Sequence, residues 1–489
     1  MKRFVASRAT LATLTTAGLL VVSSTAMASG FSAARLGGIH GNATSATPAS
    51  IYYNPANMAR VQGTQILADL TLVLRNASYE RTGNADADAV AVNTGKNTLF
   101  NLINSPAAAI TTDFGGRSKN FVLGAGFYAP FGGQAVWDDV DVPAGYEVAG
   151  NGTQRWFAID GIIRQLTGTL GGAVRTNDGQ FSVGMTLNLN IFQIDTIRAR
   201  NGDGSDTVLN SSGGVQEGRS WLDVSSIDPS IGLGFTYESL DGHWTVGASY
   251  QSASNMTGNI VMDGTLTNQF GPGSPESADV RVLQQVPGTA RLGVAYRFYD
   301  RATVDTENPI VRGELRLGGE LTSWGQFKSQ CIVNEAQLGD ANIQDVCRYL
   351  ENGMTSSDPA IIQNLVRGWK HGWGVKLSGS YYLNPRIELA AGLGFDANAI
   401  PDRALDPALM DMNKIAVDLG GRFQVARWLA INAMVTNVFY FERDTTGVPT
   451  YESFIPDGEP GNRQNLQPSS AGIYNQNMFI VNLGLNFMF

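Results

Sequence analysis

Residues 477–489 read NMFIVNLGLNFMF, and this last stretch decides the fold. Phe479, Val481, Leu483, Leu485, Phe487 and Phe489 share one face of an extended chain, with Asn482, Gly484 and Asn486 on the other. Alternation at period two places an apolar surface against a polar one. That arrangement suits a strand of a transmembrane barrel, lipid on one side and lumen on the other, better than an edge strand of a secreted sandwich.

Working back from this strand, similar segments recur. About fourteen strands are expected, near 64–80, 106–114, 120–131, 155–175, 180–200, 221–237, 243–262, 279–298, 309–328, 369–384, 386–396, 412–425, 427–444 and 476–489. Short connections around Asn177, Asp241, Pro385 and Ala426 alternate with long ones, at about 81–105, 132–154, 201–220, 263–278, 329–368, 397–411 and 445–475. An outer-membrane barrel has this rhythm, with tight periplasmic turns and larger outer loops. The fold class is therefore all-β, an antiparallel transmembrane barrel spanning residues 64–489.

Composition agrees. The chain of 489 residues carries 57 Gly and only 16% charged residues, with a mean hydropathy near zero, as when an apolar outer face and a polar inner face average out. A net charge of −9 argues against nucleic acid as a partner. Residues 1–28 place Lys2, Arg3 and Arg8 before a short apolar run and end in Ala26-Met27-Ala28, a secretory signal peptide too short to span a membrane. Residues 29–63 are rich in Gly, Ala, Ser and Thr, lack strand alternation and carry Asn54-Pro55-Ala56. They read as a hatch that the barrel encloses.

Strand parity also describes the inner wall. Near 180–200, Phe181, Val183, Met185, Leu187, Leu189 and Ile191 point outward, leaving Phe192, Ile194, Arg198 and Arg200 inward. Near 309–328, Arg312, Glu314, Arg316, Glu320, Trp324 and Lys328 face the lumen. Large apolar groups such as Phe192, Ile194 and Trp324 are out of place in a water-filled pore.

The mature start GF with its NPA, the LTSWGQF segment at Leu321–Phe327, the GFDANAIPDR segment at Gly394–Arg403 and the NLGLNFMF ending resemble the FadL/TodX family of outer-membrane transporters for long-chain fatty acids and other hydrophobic compounds. A terminal aromatic likewise resembles the signature by which barrel-assembly machinery recognises its clients. The resemblance implies a monomeric fourteen-stranded barrel in outer-membrane lipid, a hatch that shifts when ligand arrives, and lateral exit at a kinked third strand. Here that strand would hold Gly124, Gly126, Pro130, Gly132 and Gly133, where Gly and Pro weaken pairing.

A fatty acid needs an apolar lining, here Phe192, Ile194 and Trp324, and a cation for its carboxylate. Arg198, Arg200 and Lys328 are the candidates, with wall ion pairs as their alternative use. Asn54, Pro55 and Ala56 form a turn that either borders the ligand site or merely caps the hatch. Cys331 and Cys347, both in the 329–368 loop of an exported chain, are expected to form a disulfide outside the cell.

No cofactor or metal is expected, and His40, His243 and His371 show no nucleophile or metal-ligand spacing around them. An enzyme is not expected. The alternatives are an aromatic-hydrocarbon or alkane channel of the same fold, or a diffusion porin or adhesin.

Overall fold

The structure, a computed structural model, describes residues 36–82, 90–116, 120–300, 310–348, 358–450 and 467–489. The expected signal peptide and residues 29–35 of the hatch lie outside them. The strands are β1 (Thr64–Arg81), β2 (Gly95–Thr112), β3 (Phe121–Val136), β4 (Asp160–Arg175), β5 (Phe181–Arg200), β6 (Gly218–Glu238), β7 (Trp244–Gln251), β8 (Asn259–Gln269), β9 (Glu276–Gln285) and β10 (Thr289–Tyr299). They continue as β11 (Val311–Thr322), β12 (Ser329–Asn334), β13 (Ile361–Val366), β14 (Gly372–Asn384), β15 (Ile387–Asp396), β16 (Lys414–Ala426), β17 (Leu429–Tyr440), β18 (Arg443–Asp444) and β19 (Gly472–Met488).

They form one antiparallel sheet that closes on itself where β1 pairs with β19, from Gln65 opposite Met488 to Arg81 opposite Gly472. The barrel has 14 staves. β7 with β8, and β9 with β10, each make one stave broken by a turn, so β6 pairs with β7 below and β8 above. The segment expected as a long loop at 329–368 instead contributes β12 and β13, which extend the sheet outward from β9.

Lipid-facing parity holds as read. Phe181, Val183, Met185, Leu187, Leu189 and Ile191 are all exposed on β5, after which Gln193 and Asp195 take the outward positions. Ten residues at ~3.3 Å, tilted by ~40°, give an apolar band about 25 Å tall, the height of a membrane core. On β19, Phe479, Leu483, Leu485 and Phe489 are exposed while Asn482 is fully buried.

β2 starts eleven residues before its expected start at residue 106. Its added part hides from a pattern search because its buried inward positions mix Asn97, Asn101 and Ser105 with Leu99 and Ile103, and Pro106 takes an outward one.

The hatch fills the periplasmic half of the lumen with a helical turn, Ser50–Tyr53, and the 3-10 helix Pro55–Arg60. Ile51, Met58 and Tyr52 pack with Val122, Tyr128 and Ala173 of the wall. The wall glycines let it approach closely: a Cβ on Gly247 would lie 2.0 Å from the Ala43 carbonyl oxygen, and one on Gly234 2.2 Å from Asn54 Oδ1. Gly247→Val is therefore expected to dislodge the hatch while the wall still closes, since lipid-facing positions are untouched. Single-channel conductance of small ions in planar bilayers should rise above wild type; an unchanged conductance would show that the hatch tolerates the displacement.

Candidate lumenal binding site

Above the hatch, two contiguous cavities share Gly132, Ile163, Gln330 and Leu409. The larger contains about 1160 Å³ of empty space, counting the part open to solvent. The smaller is aromatic: Trp324 lies 4.9 Å from Trp369 and 5.7 Å from Phe131 between ring centroids, and Phe327 lies 4.9 Å from Trp369. These rings belong to the largest buried apolar cluster, which continues to Trp137, Leu405 and Met410.

Beneath the apolar space the wall turns polar. Gln165 Nε2 donates to Asn190 Oδ1 at 2.8 Å, Thr169 Oγ1 to Asn188 Oδ1 at 2.6 Å, and Asn190 Nδ2 to Ser230 Oγ at 3.0 Å. A tail moving straight down would leave apolar contacts for this network and the hatch.

Sideways the wall is thinner. The ladder between β2 and β3 joins only Ala108–Thr112 to Phe127–Leu123, although both strands run on outward. Pro106 sits just beyond its last pair, and β3 bulges against β4 between Tyr128 and Phe131, at Ala129 and Pro130. Two residues without a backbone N–H at one seam explain why pairing stops. Near the rim the strands rejoin: Asp138 N donates to the Thr98 carbonyl, and Asn101 exchanges two hydrogen bonds with the Val136 backbone. The result is a gap in the β2–β3 ladder, a window in the backbone pairing, bordered by the Gly132–Ala135 stretch that also lines the larger cavity.

Residues 19–449 match the family described as outer membrane protein transport protein (OMPP1/FadL/TodX). The chain belongs to the FadL/TodX family. Members are outer-membrane transport channels for hydrophobic compounds, not enzymes. A Pseudomonas aeruginosa FadL homologue superimposes with a TM-score of 0.69 at 15% identity, covering 96% of this chain and 99% of that one. The Pseudomonas putida toluene transporter TodX gives 0.60 at 14% identity, covering 96% and 100%. The Ralstonia pickettii toluene transporter TbuX gives 0.56 at 13%, covering 91% and 94%. No curated protein is significantly similar in sequence.

In this FadL/TodX-family chain the expected apolar residues converge: Phe192 and Trp324 line the aromatic cavity and Ile194 the larger one, all buried. The expected cations do not. Arg198 lines the larger cavity and donates to Gln363, whereas Arg200 reaches the Ile362 carbonyl at 3.4 Å outside it. Lys328 is exposed, because β11 stops at Thr322 and the 3-10 turn Trp324–Gln326 cancels the parity that aimed it inward.

Gly124 and Gly126 are also corrected. Both lie in the paired part of β3, where an added Cβ would meet Met58 at 2.7 Å and Ile51 at 3.2 Å, so they seat the hatch while the bulge falls at Pro130. Asn54 caps the Pro55–Arg60 helix through Ala56 N and donates to the Ala43 and Phe235 carbonyls and Thr236 Oγ1, so with Pro55 and Ala56 it docks the hatch on β6 and borders neither cavity. Arg316 and Glu314 pair at 2.7 Å as wall charges, and Glu314 also takes Arg297 at 2.9 Å. Cys331 and Cys347 form the expected disulfide.

Three cavity cations are absent from the sequence reading: Arg164 in the smaller cavity, where it donates to Gln193, and Arg75 and Arg367 in the larger. Arg367 pairs with Asp406 at 2.6 Å. Arg75, 7% exposed on β1, was legible from parity alone, since Leu70, Leu72 and Leu74 face outward around it.

Phe157 and Ala158 form part of the roof and are held by a buried clamp on the preceding residues. Arg155 meets Glu217 through Nε at 3.0 Å and Nη2 at 2.9 Å, and donates to the Val92 and Gly152 carbonyls, with both side chains fully buried. Glu217→Ala strands a buried guanidinium and should cost about 3–5 kcal/mol. The expected result is a lower thermal midpoint with faster amide exchange in residues 147–156; a change within about 0.5 kcal/mol would mean that water replaces the carboxylate.

Proposed function

We propose that this outer-membrane transporter takes up long-chain fatty acids passively, holding the tail in the paired cavities and releasing it through the wall window. The observation that carries the reading is the position of one continuous apolar space beside guanidinium groups and against the unpaired stretch of β3. A chain of about 15 methylenes gains ~0.8 kcal/mol each on burial, roughly 12 kcal/mol gross, so the apolar lining supplies the affinity and Arg198 orients the head. Arg200 and Lys328 lie too far from this lining to share that task.

Such affinity would trap a substrate unless the protein also has a weaker-binding state. A shifting hatch supplies one: a downward movement of Tyr52 and Ile51 withdraws support from β3, where Tyr128 packs on Tyr52 at 4.8 Å. The polar layer of Asn188, Asn190 and Gln165 disfavours the vertical route, which leaves the window as the exit for an apolar tail.

The aromatic box of Phe131, Trp324, Phe327 and Trp369 favours a second reading, uptake of monoaromatic hydrocarbons. The test covers both. Cells lacking their own transporter, expressing this chain or its Arg198→Ala variant, are given labelled palmitate, hexadecane and toluene. The first reading expects palmitate uptake that falls severalfold in Arg198→Ala, with little hexadecane or toluene uptake. Toluene uptake unaffected by the substitution would establish the second, and uptake of none would return a porin or adhesin.

A further inference from the structure

We infer that Arg75 is a second guanidinium, besides that of Arg198, that binds the substrate's carboxylate, an anion site at the inner margin of the wall window. This rests on the uptake reading above and deepens it by adding a partner for the head group. Three guanidinium groups line the larger cavity, those of Arg75, Arg198 and Arg367. Arg367 is neutralised by Asp406 at 2.6 Å, and Arg198 lies toward β13, donating to Gln363.

Arg75 differs from both. It is 7% exposed, and its hydrogen-bond partners are neutral acceptors: Nε donates to Gln476 Oε1 at 2.9 Å and Nη1 to the Gln134 carbonyl at 2.8 Å. No carboxylate pairs with it among the described residues. A guanidinium taken out of water without a counter-charge is costly, and an incoming carboxylate removes that cost while gaining a charge-assisted bond. Nη2 takes no part in those two bonds, and Arg75 lines the cavity.

The two existing bonds fix where the head would sit. Gln134 belongs to the part of β3 that has lost its β2 partner, so its carbonyl is held by Arg75 across the window. Met478 lines the same cavity and belongs to a buried apolar cluster with Val73 and Ile103, which gives the site an apolar flank. An alcohol or hydrocarbon of equal length gains nothing from Arg75. The site therefore selects acids.

The test compares labelled palmitate with labelled hexadecanol at limiting concentration, in cells expressing wild type, Arg75→Gln or Arg75→Lys. Arg75→Gln should lower palmitate uptake about tenfold, the value of one charge-assisted hydrogen bond, and leave hexadecanol uptake nearly unchanged. A wild type that takes up palmitate in preference to hexadecanol, with Arg75→Gln keeping that preference, overturns the assignment and leaves the uptake reading standing. Equal loss of both substrates in Arg75→Gln assigns Arg75 to the wall alone and also overturns it. A wild type without preference for the acid overturns the uptake reading and this inference together. If Arg75→Gln does not reach the membrane, Arg75→Lys carries the test: its palmitate preference should shrink yet persist, and an unchanged ratio overturns the proposal.

Discussion

A strand crossing lipid must satisfy each backbone N–H and C=O inside the protein, because the bilayer core offers no partner. Ladder pairing meets that demand around almost the whole barrel, including the closure of β1 on β19. The exception is the seam between β2 and β3. There Pro106 and Pro130 remove two donors, and side chains take over part of the pairing: Asn101 on Val136, Asn97 Nδ2 on the Asp138 carbonyl at 2.9 Å, Arg75 on Gln134. A window in a membrane wall is stable only where such substitutes come from inside. The inward face of the seam therefore has to be polar, and that requirement places an arginine beside the larger cavity, whose apolar lining is interrupted elsewhere by Arg198, Arg367 and Asp406.

The same constraint shapes the hatch. A closed barrel of 14 staves leaves more space than its own side chains fill, so a second element must be packed against inward-facing positions. Glycine at Gly184, Gly234 and Gly247 brings the hatch backbone to within contact of the wall backbone, and Asn54 then reaches the Phe235 carbonyl. At the periplasmic rim Arg60 meets Glu238 at 3.1 Å, and Glu238 also receives Arg175 and Arg297. Apolar packing on the β3 side and ion pairs below give the hatch a firm resting position while leaving the upper lumen open.

Period-two alternation made the wall legible, and it worked wherever a strand has lipid on one side and pairs on both edges, as on β5 and β19. It failed where pairing itself is irregular. β2 was cut short because its inward Asn and Ser residues substitute for a missing neighbour, and Lys328 was misaimed because a 3-10 turn interrupts the stave. Cavity residues on strands, Phe192 and Ile194, followed from parity. Roof residues such as Phe157, Leu409 and Arg367 come from loops whose approach depends on buried pairs far apart in sequence, like Arg155 with Glu217, and no local pattern encodes that convergence. Arg75 had the right parity and was passed over because a single arginine in a strand reads as ordinary.

Charge placement also bears on why transport need not be slow. An apolar tail buried in the cavities would bind with most of its gross ~12 kcal/mol if the site were rigid and complete. The gap in the β2–β3 ladder would leave it incomplete: on the proposed reading one side of the tail faces the seam, where the outer-leaflet hydrocarbon is equally apolar. Moving from cavity to bilayer then exchanges one apolar contact for another, at little net cost along the tail. On the proposed uptake reading the head group alone distinguishes the two environments, since leaving Arg75 returns that guanidinium to neutral acceptors only. If the proposed uptake holds, retention is set by a few polar contacts and not by tail length, which would let one site serve acids of different lengths at comparable rates.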